Sequence, residues 1–416
     1  MYKFLFFTDI IFMRIFGKEV KLISVFCYPL IILSLVLLVL GILSFFDVEV
    51  VDSIAVMNSV RGFLVTVGFC GFLCFACTDS GQKALIVSAC ACVSCFVYYA
   101  VTGYSYGVLT AILLAVGMSY IAINTGLMPL TVAGAIISTV FAILLSMLDS
   151  PIESVTKWLC GLLSDSPSVA AVVGNISSVL FGNRFGAMYY HSDFTGAVFV
   201  DGSAVTGAVD IFAANSHYSS VLKYLTGKYI VNTFVTIGVV SALFTKLKGA
   251  NRYCLILAAV VSVLVGENSA LSIFVFIYNP YLYVGYLGLI LVSYFTTILT
   301  RLGIGYTNYG SIVELIMYGN KWIYFAVIGI VVAILSYYLS KLVLSRFDFE
   351  NMRHYPREVK KLIKALGGEE NIQCINHGRL YVDNPNLIDI LSIDCEIHEN
   401  EITLIKDDLD LLQDYF

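Results

Sequence analysis

Gly266-Glu-Asn-Ser-Ala-Leu-Ser-Ile-Phe-Val-Phe-Ile-Tyr-Asn-Pro280 is apolar over much of its length, yet it opens on an acid, an amide and a hydroxyl and closes on Asn-Pro. A plain helix through a bilayer does not read this way. Broken, polar backbone at membrane depth is tolerated only where protein or a water-filled cavity surrounds it. Residues 191–221 share the character, mixing Asp193, Asp201, Asp210, Asn215 and His217 with many small residues. Transporters build substrate sites from interrupted helices of this kind, so the two stretches are binding-site candidates on residue chemistry alone.

The rest of the chain supplies the membrane. Of 416 residues 59% are hydrophobic and only 13% charged, and the mean hydropathy is +0.88. A soluble domain carries roughly 25% charged residues, so this composition cannot cover a water-facing surface and implies a polytopic membrane protein. No basic stripe points to nucleic acid. Most of the 11 cysteines sit inside apolar runs. Cys74 and Cys77 have C-x-x-C spacing but no second pair, and read as small packing residues rather than metal ligands.

A spanning helix needs about 20 apolar residues. About ten apolar segments qualify by composition, some of them short, near 22–46, 60–78, 84–101, 105–123, 129–148, 168–189, 229–245, 252–266, 281–299 and 322–345. Residues 151–164 are too short and polar to span, with Glu153, Lys157 and Asp165 around Val155, Trp158 and Leu162, and fit an interfacial helix. Phe4–Phe16, broken by Asp9 and Arg14, reads as an amphipathic surface helix rather than a cleavable signal. Lys3, Arg14, Lys18 and Lys21 place the N-terminus in the cytoplasm. Arg346, Arg353, Arg357, Lys360 and Lys361 place the C-terminus there too, so the number of crossings is even. The expected division is a membrane domain over 1–345 and a charged cytoplasmic segment over 346–416. In the latter Glu358–Leu366 has helical spacing, Gly367-Gly368 closes that helix, and Arg379–Val382 and Glu401–Ile405 alternate like strands. The fold class expected is therefore an all-α polytopic membrane protein with a small C-terminal α/β tail.

Several motifs, in order, resemble the glucose-superfamily sugar permeases of the bacterial phosphoenolpyruvate-dependent phosphotransferase system, in which a membrane enzyme IIC precedes a IIB phosphocarrier domain. The likeness is best from about Leu127 to Val382. Gly266 is followed at the family's distance by Pro280-Tyr-Leu-Tyr283. Gly310-Ser-Ile-Val-Glu-Leu-Ile-Met-Tyr-Gly-Asn320 matches a later family stretch, and Thr78-Asp-Ser-Gly-Gln-Lys-Ala-Leu85 an earlier one. The sharpest local match is Leu366-Gly-Gly-Glu-Glu-Asn-Ile372, the onset of IIB. The resemblance implies an all-helical membrane domain with two re-entrant hairpins and an interfacial helix, a homodimer, and a place in the bacterial cytoplasmic membrane. It also implies a carbohydrate of the glucose, N-acetylglucosamine or maltose type, phosphorylated from a IIB cysteine.

The chain departs from that family where the chemistry lies. The signature glutamate falls on Ser269, its proline on Ala270 and a second glutamate on Ser272, while Glu267 remains two residues upstream. Of two histidines only His191 persists, and an aspartate has become Asn215. In the tail the phosphorylated cysteine falls on Gly378, Arg379 follows directly, and Cys374 lies four positions early. Phosphoryl transfer needs a thiolate nucleophile and an acid beside the sugar hydroxyl; both positions have changed. The candidate substrate-binding residues are thus His191, Asp193, Asp210, Asn215, Glu267, Asn268 and Ser269, with Tyr189, Tyr190, Phe274 and Tyr278 as aromatic platforms. No catalytic residue, metal ligand or cofactor is assigned. The reading that follows is a carbohydrate transporter whose phosphorylation coupling is lost or supplied by a separate IIB. The alternative is a sugar sensor or scaffold whose tail docks a regulator or another phosphotransferase-system protein. Against both stands the plainer reading that the polar groups of 191–217 only satisfy one another in a buried loop.

Overall fold

A computed structural model of the chain describes residues 12–15, 18–44, 54–200, 203–214, 219–247, 249–306, 310–318 and 322–347. In the tail it describes 362–363, 365–367, 371–376, 379–382, 384–385, 388, 395–398 and 401–404. The chain falls into two compact units, Met1–Phe347 and Asp348–Phe416.

The first unit is helical. After a short hairpin of β1 (Phe12–Ile15) and β2 (Lys18–Lys21) come α1 (Leu22–Ser44), α2 (Ile54–Thr78), α3 (Gly81–Thr102), α4 (Val108–Asn124) and α5 (Leu127–Met147). There follow α6 (Asp149–Leu162), α7 (Pro167–Leu180), α8 (Arg184–His191), a second hairpin of β3 (Ala197–Val200) and β4 (Ser203–Thr206), and α9 (Ala208–Ala214). The long helix α10 (Leu222–Phe244) leads to α11 (Gly249–Leu264), α12 (Ser269–Tyr278), α13 (Pro280–Leu299), α14 (Ile312–Tyr318) and α15 (Trp322–Arg346). Among the described residues seven helices are long and apolar enough to cross a membrane: α1, α2, α3, α5, α10, α13 and α15. Their outward faces carry Phe96, Val132, Ile330 and Tyr338, each more than half exposed. Water would not tolerate an apolar surface on that scale, whereas lipid requires it. The chain is an all-α membrane protein in its first unit.

Two expectations change. The surface helix over Phe4–Phe16 is not formed where the chain is described: Phe12–Ile15 pairs antiparallel with Lys18–Lys21, so local hairpin bonds satisfy backbone that a helix would have satisfied internally. The single span expected near 168–189 is two helices, α7 and α8, separated at Gly182. That residue sits at φ +91° against the carbonyl of Ser105, 2.5 Å from where a Cβ would lie, so only glycine fits the break.

The amphipathic segment forms α6. Its polar side carries a Glu153–Lys157 pair at 2.6 Å, and the lysine holds the exposed Glu153 carboxyl below its usual range. Thr156 and Cys160 face inward, and burial pushes the Cys160 thiol up to about 12, which makes it an inert packing group. Val155, Trp158 and Leu162 form an outward apolar stripe, each more than half exposed. Arg184 anchors α8 to the start of α6 through the Asp149 carboxylate and stacks 3.9 Å over the Tyr104 ring.

Irregular backbone at Gly266, Ile304, Gly305 and Gly310 is held by side chains of α10. Ile230–Val235 makes one wide turn of i→i+5 spacing within this helix, and Thr236 Oγ1 donates to the carbonyl of Val231 at 3.1 Å. From this turn Asn232 Nδ2 donates to the carbonyl of Gly266 at 2.6 Å and to that of Gly310 at 3.3 Å. One turn earlier, Thr226 Oγ1 accepts the Ile304 N–H at 2.9 Å, and Tyr229 Oη donates to the Gly305 carbonyl at 2.8 Å. Gly227 lets this helix close on α13, because a Cβ there would lie 2.3 Å from the ring of Tyr294. Ser311 and Glu314 cap α14 reciprocally: the Glu314 carboxylate accepts the N–H of Gly310 at 2.8 Å and of Ser311 at 3.2 Å, and Ser311 Oγ accepts the Glu314 N–H at 3.1 Å. The Gly310–Asn320 stretch thus contains a capping box.

In the second unit β5 (Ile372–Asn376), β6 (Arg379–Val382), β7 (Cys395–His398) and β8 (Glu401–Leu404) form an antiparallel sheet in the order β5-β6-β8-β7. Strands stand at 379–382 and 401–404, where the alternation predicts them. Buried Asn371 donates to the carbonyls of Leu366 and Asn384 and accepts the Asn384 N–H at 2.7 Å. It ties the motif at 366–372 to the end of β6. Gly378 lies outside the described residues.

Two measurements check this architecture. With Trp322 changed to Phe, leaving Trp158 as the sole tryptophan, lipids brominated near the headgroup should quench emission strongly and lipids brominated at chain ends weakly. Thermal unfolding in detergent should fall for Asn232→Leu, since each buried acceptor left without its donor costs about 1–3 kcal/mol. Thr233→Val should leave it unchanged or raise it, because the buried Thr233 hydroxyl has no hydrogen-bond partner among the described residues.

Candidate functional site

Polar side chains converge where α2, α7, α8, α10 and α13 meet the link between α11 and α12. Gly266, at φ +87°, ends α11, and Asn268 stands at the N-cap of α12. This places Glu267 at a helix start, where its Oε1 accepts the Ser269 N–H at 3.1 Å and where negative charge is favoured. Arg61 reaches the same point from α2. It is 4% exposed, donates from Nη1 to Ser178 Oγ at 3.0 Å, and stands 3.7 Å from Glu267 Oε1. Lys228, half-buried on α10, lies within the field of Glu267, Glu314 and Arg61 and sits 5.1 Å from the centre of the Tyr306 ring.

These groups surround a cavity of about 100 Å3. Its wall is completed by Asn175 and Ser178 of α7, Asn183 and Tyr190 near α8, Asn268, and Tyr294 of α13. The wall is cross-braced. Tyr283 Oη donates to Asn175 Oδ1 at 2.8 Å, Asn175 Nδ2 donates to Ser272 Oγ at 3.1 Å, and Asn268 Nδ2 donates to Tyr286 Oη at 3.3 Å. Asn279 accepts two N–H groups at the start of α13 and donates to the Phe347 carbonyl at 2.8 Å, so the Asn-Pro break is itself a helix cap. Pro280-Tyr-Leu-Tyr283 therefore positions the wall: its proline starts α13 and its last tyrosine fixes Asn175.

Of the residues singled out from sequence, Glu267 and Asn268 line this cavity. Ser269 is 3% exposed just behind them, and its hydroxyl has no hydrogen-bond partner among the described residues. His191 and Asp210 meet each other, with Nδ1 3.1 Å from both carboxylate oxygens, but they are not among the lining residues. Their neighbour Gly207, at φ +92°, packs against the His191 backbone. Asp193 is exposed in a short 3-10 turn, and Asn215 lies outside the described residues. Tyr190 lines the cavity, whereas Tyr189 is buried with its hydroxyl on the Leu163 carbonyl at 2.9 Å, and Phe274 stacks on Tyr278 within the core.

Sequence reasoning passed over Arg61 and Lys228. The signal was present: each is a lone cation in or beside an apolar run, and ionisable groups at membrane depth are rarely idle. What the sequence withheld was the partner, since Ser178 lies 117 positions from Arg61.

The arrangement offers hydroxyl, amide, carboxylate, ammonium and guanidinium groups to a small solute, with tyrosines beside them. Cys74 and Cys77 are buried in α2, and among the described residues no cluster of three or more His, Cys, Asp or Glu side chains is placed to hold a metal ion. No known protein-family model matches the chain.

Proposed function

We propose that this protein is a membrane carbohydrate carrier, related to the enzyme IIC permeases that its motifs resemble, in which coupling to phosphorylation has been lost. One observation carries the reading: a polar cavity lies among apolar helices, with its wall built at the interruption between α11 and α12. Interrupted helices around a polar cavity are how transporters present backbone and side chains to a solute. Amides and hydroxyls at Asn175, Ser178, Asn183 and Asn268 suit sugar hydroxyls, and Tyr190 and Tyr294 supply aromatic walls. The volume of about 100 Å3, below the roughly 300–1,000 Å3 of sites for drug-sized ligands, limits the reading to a small solute, no larger than a monosaccharide. Glu267 takes the place of the family's acid, from two positions upstream.

Under this reading the protein works as a homodimer in a bacterial cytoplasmic membrane with both termini inside, and the lipid-facing apolar side chains serve that setting. The tail supports a second reading as a docking module. It forms its own compact unit and keeps the Asn371 bonds that shape its motif, while glycine stands at the phosphocarrier position. A chain built this way would sense sugar and report to a regulator.

Uptake of labelled monosaccharides into proteoliposomes tests the carrier. Saturable uptake is expected, weakened by Asn268→Ala through loss of a hydroxyl partner, and no sugar phosphate should form when a phosphorylated IIB protein is added. Deleting 350–416 should leave uptake intact. Absence of saturable uptake for every monosaccharide tried would overturn the reading.

A further inference from the structure

Asn268 and Asn279 stand at the same position of successive helices, and only one of them behaves as a cap. Asn279 accepts two N–H groups at the start of α13. Asn268 is the N-cap residue of α12, yet its side chain makes no capping bond to that helix. Its Nδ2 donates instead to Tyr286 Oη at 3.3 Å. Asparagine at this position ordinarily accepts an N–H two or three residues further on, so the bond to Tyr286 holds the amide away from its local use. Asn268 lines the cavity, and its Oδ1 has no hydrogen-bond partner among the described residues.

Asn175 is held in the same manner from α7. It lines the cavity, its Oδ1 accepts from Tyr283 Oη at 2.8 Å, and its Nδ2 donates to Ser272 Oγ at 3.1 Å. Turning this amide about its last torsion would break both bonds, so its plane is fixed. An asparagine amide has two N–H donors and two oxygen lone pairs. The bonds to Tyr283 and Ser272 use one of each and leave one of each.

Tyr283 and Tyr286 are three residues apart on α13 and so share a face. They are 5% and 0% exposed, and neither is among the lining residues. Their rings lie 6.4 Å apart at 26°, and Tyr283 packs edge-on at 5.3 Å against Phe276 of α12. The two hydroxyls are thus carried on rings that packing holds still, and each grips one amide of the wall from behind.

We propose that Tyr283 and Tyr286 are positioning residues for solute recognition, holding Asn175 and Asn268 in the orientation that receives the hydroxyl groups of a sugar. A hydroxyl both donates and accepts, which matches an amide that keeps an N–H and a lone pair for it. Amides set in advance lose little freedom when the solute arrives, and that raises affinity. This inference rests on the carrier reading and names residues outside the cavity on which its selectivity depends.

The test uses the full chain in proteoliposomes, with whichever of labelled glucose, galactose, mannose and N-acetylglucosamine it takes up at the lowest half-saturation concentration. Tyr283→Phe and Tyr286→Phe each remove one hydroxyl and keep the ring. Each should raise the half-saturation concentration about two- to tenfold, the range expected when one ordered side chain is set free, with the maximal rate unchanged. Tyr283→Phe should add nothing in an Asn175→Ala background, and Tyr286→Phe nothing in Asn268→Ala, as residues acting through one another require. The unfolding temperature of Tyr286→Phe should not fall, because the released Asn268 returns to capping α12. An unchanged half-saturation concentration in both variants would overturn the positioning inference and leave the carrier reading in place. An equal rise with and without the matching asparagine would overturn it too, since a general structural effect behaves that way. Where one variant fails to fold, the other decides. Absence of saturable uptake of all four sugars by the wild-type chain would overturn this inference together with the carrier reading.

Discussion

Every part of the membrane unit depends on how its irregular backbone is satisfied. A carbonyl at membrane depth without a donor costs several kcal/mol, and among the described residues this chain leaves helical geometry around Gly266, over 302–306 and at 310–311. Asn232 serves two of these places with one amide, reaching Gly266 and Gly310. Thr226 and Tyr229 hold Ile304 and Gly305 from the same helix. With those bonds made, the irregular backbone is fixed, the link after Gly266 becomes a wall through Glu267 and Asn268, and a polar cavity can exist among apolar helices. The cavity is thus a consequence of backbone accounting before it is a matter of substrate chemistry.

The same economy explains several motifs that a reader of the sequence would assign to chemistry. Glu314 is an acid at the end of an irregular stretch between membrane helices, and it caps a helix. Asn279 and Pro280 break the chain and restart it in one step. Asn371, in the tail's most recognisable segment, ties two chain turns together. These residues keep a shape, and a shape can outlast an activity.

Much of the architecture is legible from residue order because membrane helices announce themselves by apolar length, and because Gly266–Pro280 carries its own punctuation. Glu267 and Asn268 are legible for that reason, as are the tail strands at 379–382 and 401–404, whose alternation survives in the sheet. The break at Gly182 is hidden, since one glycine in an apolar run looks like any other until Ser105 is packed against it. His191 and Asp210 look like ligands and prove to be each other's neighbours. Arg61 is the opposite case: its surroundings in sequence are bland, and its meaning lies in Ser178 and Glu267, which the fold brings to it.

The wide turn at Ile230–Val235 has one more implication. In an α-helix each residue advances the side-chain direction by about 100°, so the extra residue in such a turn resets the phase of everything beyond it. Lys228, before the turn, is aimed at the cavity, and Gly238, after it, lies against Ala333 and Ser336 of α15. The two halves of α10 thus keep separate bearings, one set by the cavity and one by the scaffold. Removing a single residue between them would leave both halves helical and equally apolar, yet turn one away from its partner. The helix behaves as two gears on one shaft, and the turn at Asn232 sets the angle between their teeth.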